Sequence, residues 1–122
     1  MAKFDAATLQ ELRDVQEVAI RTDKHPKSAV VIWVVVADDE VFVRSWRGAK
    51  GRWYRDLATG GVATLEFAGG RKLAVRASPI GDNDDAVARV SRKFLRKYQR
   101  NSHAPEMVRP ETLPTTLRLE PR

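Results

Sequence analysis

The chain has 122 residues, 43% of them apolar and 31% charged, with a formal net charge of +6 and no cysteine. This is the balance of one folded domain spanning 1–122, not of a disordered chain, and a chain this long buries roughly two-thirds of its unfolded surface without a disulfide or metal. The lack of cysteine excludes disulfides, zinc–thiolate sites and thiol catalysis, and together with the acidic, weakly apolar start "MAKFDAATLQELRD" it points to a cytoplasmic protein rather than an exported or membrane one.

Residues 5–16 read as a helix. Asp5 stands where an N-cap belongs, Phe4 and Leu9 have the spacing of a hydrophobic staple, and Leu12 and Val15 follow at helical intervals. "EVAIRT" at 17–22 alternates as a strand with one buried face, and Pro26 marks the turn after it. "SAVVIWVVVA" at 28–37 is apolar on both faces. Its longest apolar run, nine residues, is less than half a membrane span, so a strand in a barrel wall is expected, with one face filling the barrel and the other covered. Asp38-Asp39 turns the chain into a hairpin partner, "EVFVRSW", with Val41 and Val43 on one face and Phe42 and Arg44 on the other.

Residues 49–58 read as a short helix ended by Gly60-Gly61. "VATLEFA" and "RKLAVRAS" form a hairpin about Gly69-Gly70. "DNDDAVARVSRKFLRKYQR" at 82–100 is the clearest helix. Its start carries the capping acids Asp82 to Asp85, and Val87, Val90, Phe94 and Tyr98 form an inward stripe. A Pro-containing connection leads to a last strand, "TTLRLEP". The expected fold is mainly β with flanking helices: a small antiparallel split β-barrel of about six strands, whose closure removes exposed edges.

"VRSWRGAKGRWYRDLA" at 43–58 concentrates chemistry. Five cations (Arg44, Arg47, Lys50, Arg52 and Arg55) and three aromatics accompany one acid. Arginine presents a planar fork to phosphate, a helix start after Gly48 adds backbone N–H groups, and Trp33, Trp46 and Trp53 are available as walls for a flat ring. The same residues also suit a purely structural turn and helix. His25 and His103 lie in separate Pro-containing loops without metal-ligand spacing, so no metal site is expected. No serine has a nucleophile-elbow context, and "DNDD" lacks the rest of a calcium loop.

The order "IWVVV", "VRS", "RG", "GRWYR" and a late "TLRLEP" resembles a small, functionally uncharacterised prokaryotic family within the flavin-binding split β-barrel superfamily. That superfamily includes pyridoxamine phosphate oxidases and deazaflavin-dependent reductases. The resemblance, over roughly residues 4–120, implies flavin mononucleotide (FMN) or a deazaflavin as cofactor and an oxidoreductase of undefined substrate. It implies that Ser45, Arg47 and Lys50 hold the cofactor phosphate and that the strand around Ile32 and Trp33 lies beside the ring. It also implies a homodimer with the cleft between subunits. Arg44, one residue before Ser45, points to the opposite face of a regular strand. The alternative is a non-enzymatic basic module that has lost the cofactor and binds nucleic acid or protein, for which "SRKFLRKYQR" is the basic, aromatic-interleaved stretch.

Overall fold

The structure is a computed structural model in which residues 3–81 and 84–122 are described. Helix α1 (Ala6–Asp14) precedes strands β1 (Val18–Thr22), β2 (Ala29–Ile32), β3 (Val35–Ala37) and β4 (Glu40–Val43). Helix α2 (Arg52–Leu57) leads to β5 (Gly61–Glu66) and β6 (Lys72–Pro79), and helix α3 (Ala86–Lys97) precedes β7 (Leu117–Pro121). All pairings are antiparallel, and the described strands form one sheet in the order β2-β1-β5-β6-β7-β4-β3.

The two edges of that sheet, β2 and β3, are neighbours in the chain, joined only by Trp33 and Val34. Three Cα steps reach at most about 11 Å. The sheet must therefore curl until its edges nearly meet, which makes it a split barrel. The expected single strand over 28–37 is thus two strands, and the sheet has seven strands where about six were expected. The chain leaves one edge and joins the other at Trp33-Val34, where the backbone groups of Val34 turn to α3 instead of a neighbouring strand. The Val34 N–H donates to Tyr98 Oη at 3.2 Å, and its carbonyl accepts from Lys97 Nζ at 2.7 Å. Lys97 also donates to the Leu12 carbonyl at 3.0 Å and the Tyr98 hydroxyl to the Gln16 carbonyl at 2.7 Å, so the end of α3 fastens the end of α1 to the same point.

Two apolar clusters follow from strand alternation. Inside the barrel, Val34, Val36, Val41 and Val43 pack with Ile20, Leu65 and Leu117, and Leu9 and Leu12 of α1 close one end. Outside it, Val35, Ala37 and Phe42 pack under Val90, Phe94 and Tyr98 of α3. The inward stripe expected on α3 is buried at all four positions, Val87, Val90, Phe94 and Tyr98. Asp38 and Asp39 both take positive φ, at 53° and 62°, as a two-residue turn that follows strand twist demands. Asp82 of the expected cap lies outside the described residues; Asp84 Oδ1 accepts from the Ala86 N–H at 2.7 Å. The helix expected at 49–58 is instead a 3-10 turn, Gly48–Lys50, and the six-residue α2, separated by extended Gly51.

Burial pulls the Lys97 ammonium down to about 8, offset only in part by Asp14. Between about pH 8 and its ordinary value of 10.5, the folded protein has released a proton that the unfolded chain still holds. Folding is then favoured as pH rises through that window, since the unfolded state binds more protons. Urea melts of wild type and Lys97→Met at pH 7 and pH 9.5 should show the stability difference moving in favour of wild type at the higher pH. An unchanged difference would mean that this amine is solvated.

Candidate functional site

At the end of β4 the side chains alternate between two environments. Arg44 turns to the α3 side, as alternation predicts, and is buried. Its Nε donates to Thr116 Oγ1 at 2.8 Å, Nη1 to Ser91 Oγ at 2.8 Å and the Met107 carbonyl at 3.0 Å, and Nη2 to the Val87 carbonyl at 2.9 Å. The guanidinium lies over the Phe94 ring, 5.5 Å from its centroid. It has no carboxylate partner among the described residues, and burial pulls its pKa down to about 10. One cation thus ties β4, α3, the 104–108 turn and the start of β7 together, with neutral acceptors doing the work of a counter-ion.

Ser45 faces the other way. Its backbone N–H donates to Thr115 Oγ1 at 3.0 Å and its carbonyl accepts from the Gly48 N–H at 2.9 Å. The hydroxyl is buried and has no hydrogen-bond partner among the described residues. A Cβ at residue 51 would stand 2.3 Å from Ser45 Oγ, so with this hydroxyl in its present position residue 51 must be glycine.

Ser45 and Gly51 line an open cleft of about 700 Å³ between the β2–β3 junction, the 44–53 segment and the 101–107 turn. This volume is in the range of small-molecule sites. Four of the five residues expected at a cofactor site come together here: Ile32, Trp33, Ser45 and Arg47. Lys50 does not; it stands exposed in the 3-10 turn, outside the lining. Arg52, which the sequence reading did not select, takes a place in the lining beside Arg47, where Glu17 is the one acid; Arg44 also borders the cleft, but its guanidinium is engaged on the α3 side.

The aromatic walls are held from behind. Trp33 stacks on Tyr98 with centroids 3.9 Å apart and planes within 5°. Trp46 is 52% exposed at the lip, yet its indole N–H donates to Glu106 Oε1 at 2.8 Å and its carbonyl accepts from Arg109 Nη2 at 3.0 Å. The second oxygen of Glu106 bonds Nδ1 of His103, which also lines the cleft. The bonds from His103 and Trp46 hold the Glu106 carboxyl below its usual range. The sequence reading missed this group, although His103 and Glu106 stand at i, i+3.

His25 is outside the cleft lining. Its Nδ1 lies 2.6 Å from Asp56 Oδ2, which also accepts from Thr22 Oγ1 at 2.7 Å. Burial pushes Asp56 upward, but Thr22, His25 and Arg52 together outweigh it and hold the carboxyl low. Among the described residues no three His, Cys, Asp or Glu side chains gather as a metal site.

Residues 5–119 match the model of a family described as "Uncharacterized protein conserved in bacteria (DUF2255)". No curated protein matches the sequence. Among solved structures, the chain is similar to HutZ, described as the heme storage protein of Vibrio cholerae, at TM-score 0.57 and 12% identity over 96% of this chain and 89% of that one. It is similar to a conserved hypothetical protein of Mycobacterium tuberculosis at TM-score 0.57 and 13% identity, over 99% and 82% of the two chains. A protein of unknown function from Agrobacterium tumefaciens matches at TM-score 0.54 and 16% identity, over 95% of this chain and 54% of that one. At these identities the likeness shows the split-barrel fold.

The Ser45–Gly51 contact has a direct test. Gly51→Ala should destabilise the fold by about 1–3 kcal/mol, the usual cost of overpacking. Ser45→Ala in the same chain should recover most of that loss, because the methyl then meets only the Gly48 carbonyl oxygen and the Cβ of residue 45, both at an ordinary 3.5 Å. Chemical denaturation of the two single variants and the double variant measures the coupling. Additive effects would place the hydroxyl away from residue 51.

Proposed function

The chain belongs to that uncharacterised bacterial family, and from this premise we propose that its cleft binds a flat, phosphate-bearing cofactor of the FMN or deazaflavin type. One observation carries the reading: a buried hydroxyl without a partner among the described residues, Ser45 Oγ, lines an aromatic-walled cleft together with Arg47 and Arg52, the two lining arginines whose guanidinium groups the α3 side does not engage. Such a donor set fits an anion, because charge-assisted bonds from arginine and a hydroxyl suit phosphate oxygens. Ser45, Arg47 and Arg52 would hold the phosphate, and Ile32 and Trp33 would lie beside the ring. A bound flavin supplies electron and hydride chemistry, while the protein supplies position and electrostatics. The activity is then that of an oxidoreductase, in the cytoplasm, with the substrate entering from the open side of the cleft.

A specific observation favours heme as a second reading. His103 lines the cleft, and its Nδ1 is engaged by Glu106, which leaves Nε2 without a hydrogen-bond partner among the described residues. A structural neighbour is described as a heme storage protein.

The same reading includes a homodimer. Strand β2 is a sheet edge whose outer residues Ala29 and Val31 are exposed, Val31 at 62%, and Val31 also lines the cleft. A second copy covering this edge would complete the cleft, with an interface above about 1,000 Å². Light scattering after size exclusion should give about twice the chain mass of 13.8 kDa, and a monomer at micromolar concentration would overturn the dimer.

Binding is tested by titrating wild type, Arg47→Ala and Lys50→Ala with FMN, with a deazaflavin and with hemin, followed by fluorescence and absorbance. A lost charge-assisted contact costs about 1.5–3 kcal/mol, so Arg47→Ala should weaken flavin binding roughly tenfold to more than a hundredfold. Lys50→Ala should have a smaller effect. Tight hemin binding with a Soret band that shifts in His103→Ala would transfer the site to heme. Failure of wild type to bind any of the three at millimolar concentration would leave the cleft without a cofactor.

A further inference from the structure

Besides the 43–58 segment, a second stretch of the protein is dense in positive charge. The chain has 22 Lys and Arg against 16 Asp and Glu. Residues 86–100 contain six of those cations and no acid, which leaves sixteen against sixteen in all the rest. Six unopposed cations therefore lie on α3 and the three residues after it, a local excess as large as the formal net charge of the chain.

The fold uses two of the six. Arg89 Nε lies 2.6 Å from Asp38 Oδ2, and Lys97 holds the Leu12 and Val34 carbonyls. The other four, Arg92, Lys93, Arg96 and Arg100, are exposed, and none forms an ion pair among the described residues. Arg89 and Lys93, Arg92 and Arg96, and Lys93 and Lys97 stand at i, i+4, a spacing at which like charges oppose helix formation. The helix dipole favours cations in the last turn alone, and Arg92 and Lys93 lie before it. Neither local helix stability nor the fold accounts for this charge.

The face is rigid, because the opposite side of α3 is anchored by Val90 and Phe94, both fully buried. Its composition selects among anionic partners. Leu95, 41% exposed, is the one large apolar side chain α3 exposes, so the face lacks the apolar row that inserts into a bilayer. Three of the four free cations are arginine, whose paired N–H groups match phosphate oxygens. We propose that the outer face of α3 docks on the phosphate backbone of nucleic acid, independently of any cofactor in the cleft.

The test is fluorescence anisotropy with a labelled mixed-sequence duplex of about 20 bp, between roughly 50 and 200 mM salt. Three to four phosphate contacts predict a slope of log K against log salt of about −3 for wild type. Changing Arg92, Lys93, Arg96 and Arg100 together to Gln should bring the slope close to zero and weaken binding more than tenfold at the lowest salt. A control with Lys24, Lys27, Lys72 and Arg76 changed to Gln has the same net charge and removes exposed cations elsewhere. It should keep the wild-type slope. Thermal melts by circular dichroism should show both variants folded. Equal losses in the two variants would show that binding follows total charge, and the site would fall. Preference for phosphatidylserine vesicles over the duplex at the same salt, or no duplex binding by wild type at the lowest salt, would also overturn it.

Discussion

The structure depends on how one peptide unit is satisfied. At Val34 the chain passes from one sheet edge to the other, and its N–H and C=O have no strand partner there. A buried backbone group without a partner costs as much as a lost hydrogen bond, so the crossing needs outside donors and acceptors. Tyr98 and Lys97 supply them from the end of α3. The barrel curls, α1 is fastened and Trp33 leaves the wall because these two side chains reach the same point. Trp33 then stacks on Tyr98 and becomes a wall of the cleft. Closure of the barrel and construction of the cleft are one event.

Arg44 is the second node. A buried guanidinium without a carboxylate is expensive unless every direction is hydrogen-bonded, and here hydroxyls and carbonyls of Ser91, Thr116, Val87 and Met107 meet it. Because Arg44 must point toward α3, Ser45 must point away from it. The cation that stabilises the outer layer thereby orients the hydroxyl that lines the cleft. Gly51 completes the arrangement by leaving room that any side chain would fill.

Helix α3 serves two environments with one amphipathic pattern. Its apolar stripe and the Lys97–Tyr98 pair hold the barrel shut, and its outer face, continued by Arg100, carries exposed cations with no ion pair among the described residues. The cleft borders the β2–β3 junction and the 44–53 segment, so a ligand there and a partner on the outer face of α3 use different surfaces. The similarity to solved structures, at 12–16% identity, extends to the arrangement of the backbone, and the chemistry of the cleft belongs to this chain's own side chains.

What the sequence determined alone was whatever is periodic and local. The alternation of "VATLEF" and "KLAVRAS", the Asp38-Asp39 turn, and the stripe of Val87, Val90, Phe94 and Tyr98 follow from the two-residue and 3.6-residue repeats, and each is found as read. The resemblance carried by "IWVVV", "VRS" and "GRWYR" marked the segment that lines the cleft and four residues that meet there. The break at Trp33-Val34 was decided by tertiary structure, because its partners lie 63 and 64 residues away and nothing in nine consecutive apolar residues marks where they arrive. The same holds for the choice of Arg52 over Lys50 at the cleft, which turns on extended Gly51 dividing an expected helix in two. Hydrogen bonds to distant partners, and the rotation of one short turn, have no sequence period by which they can be read.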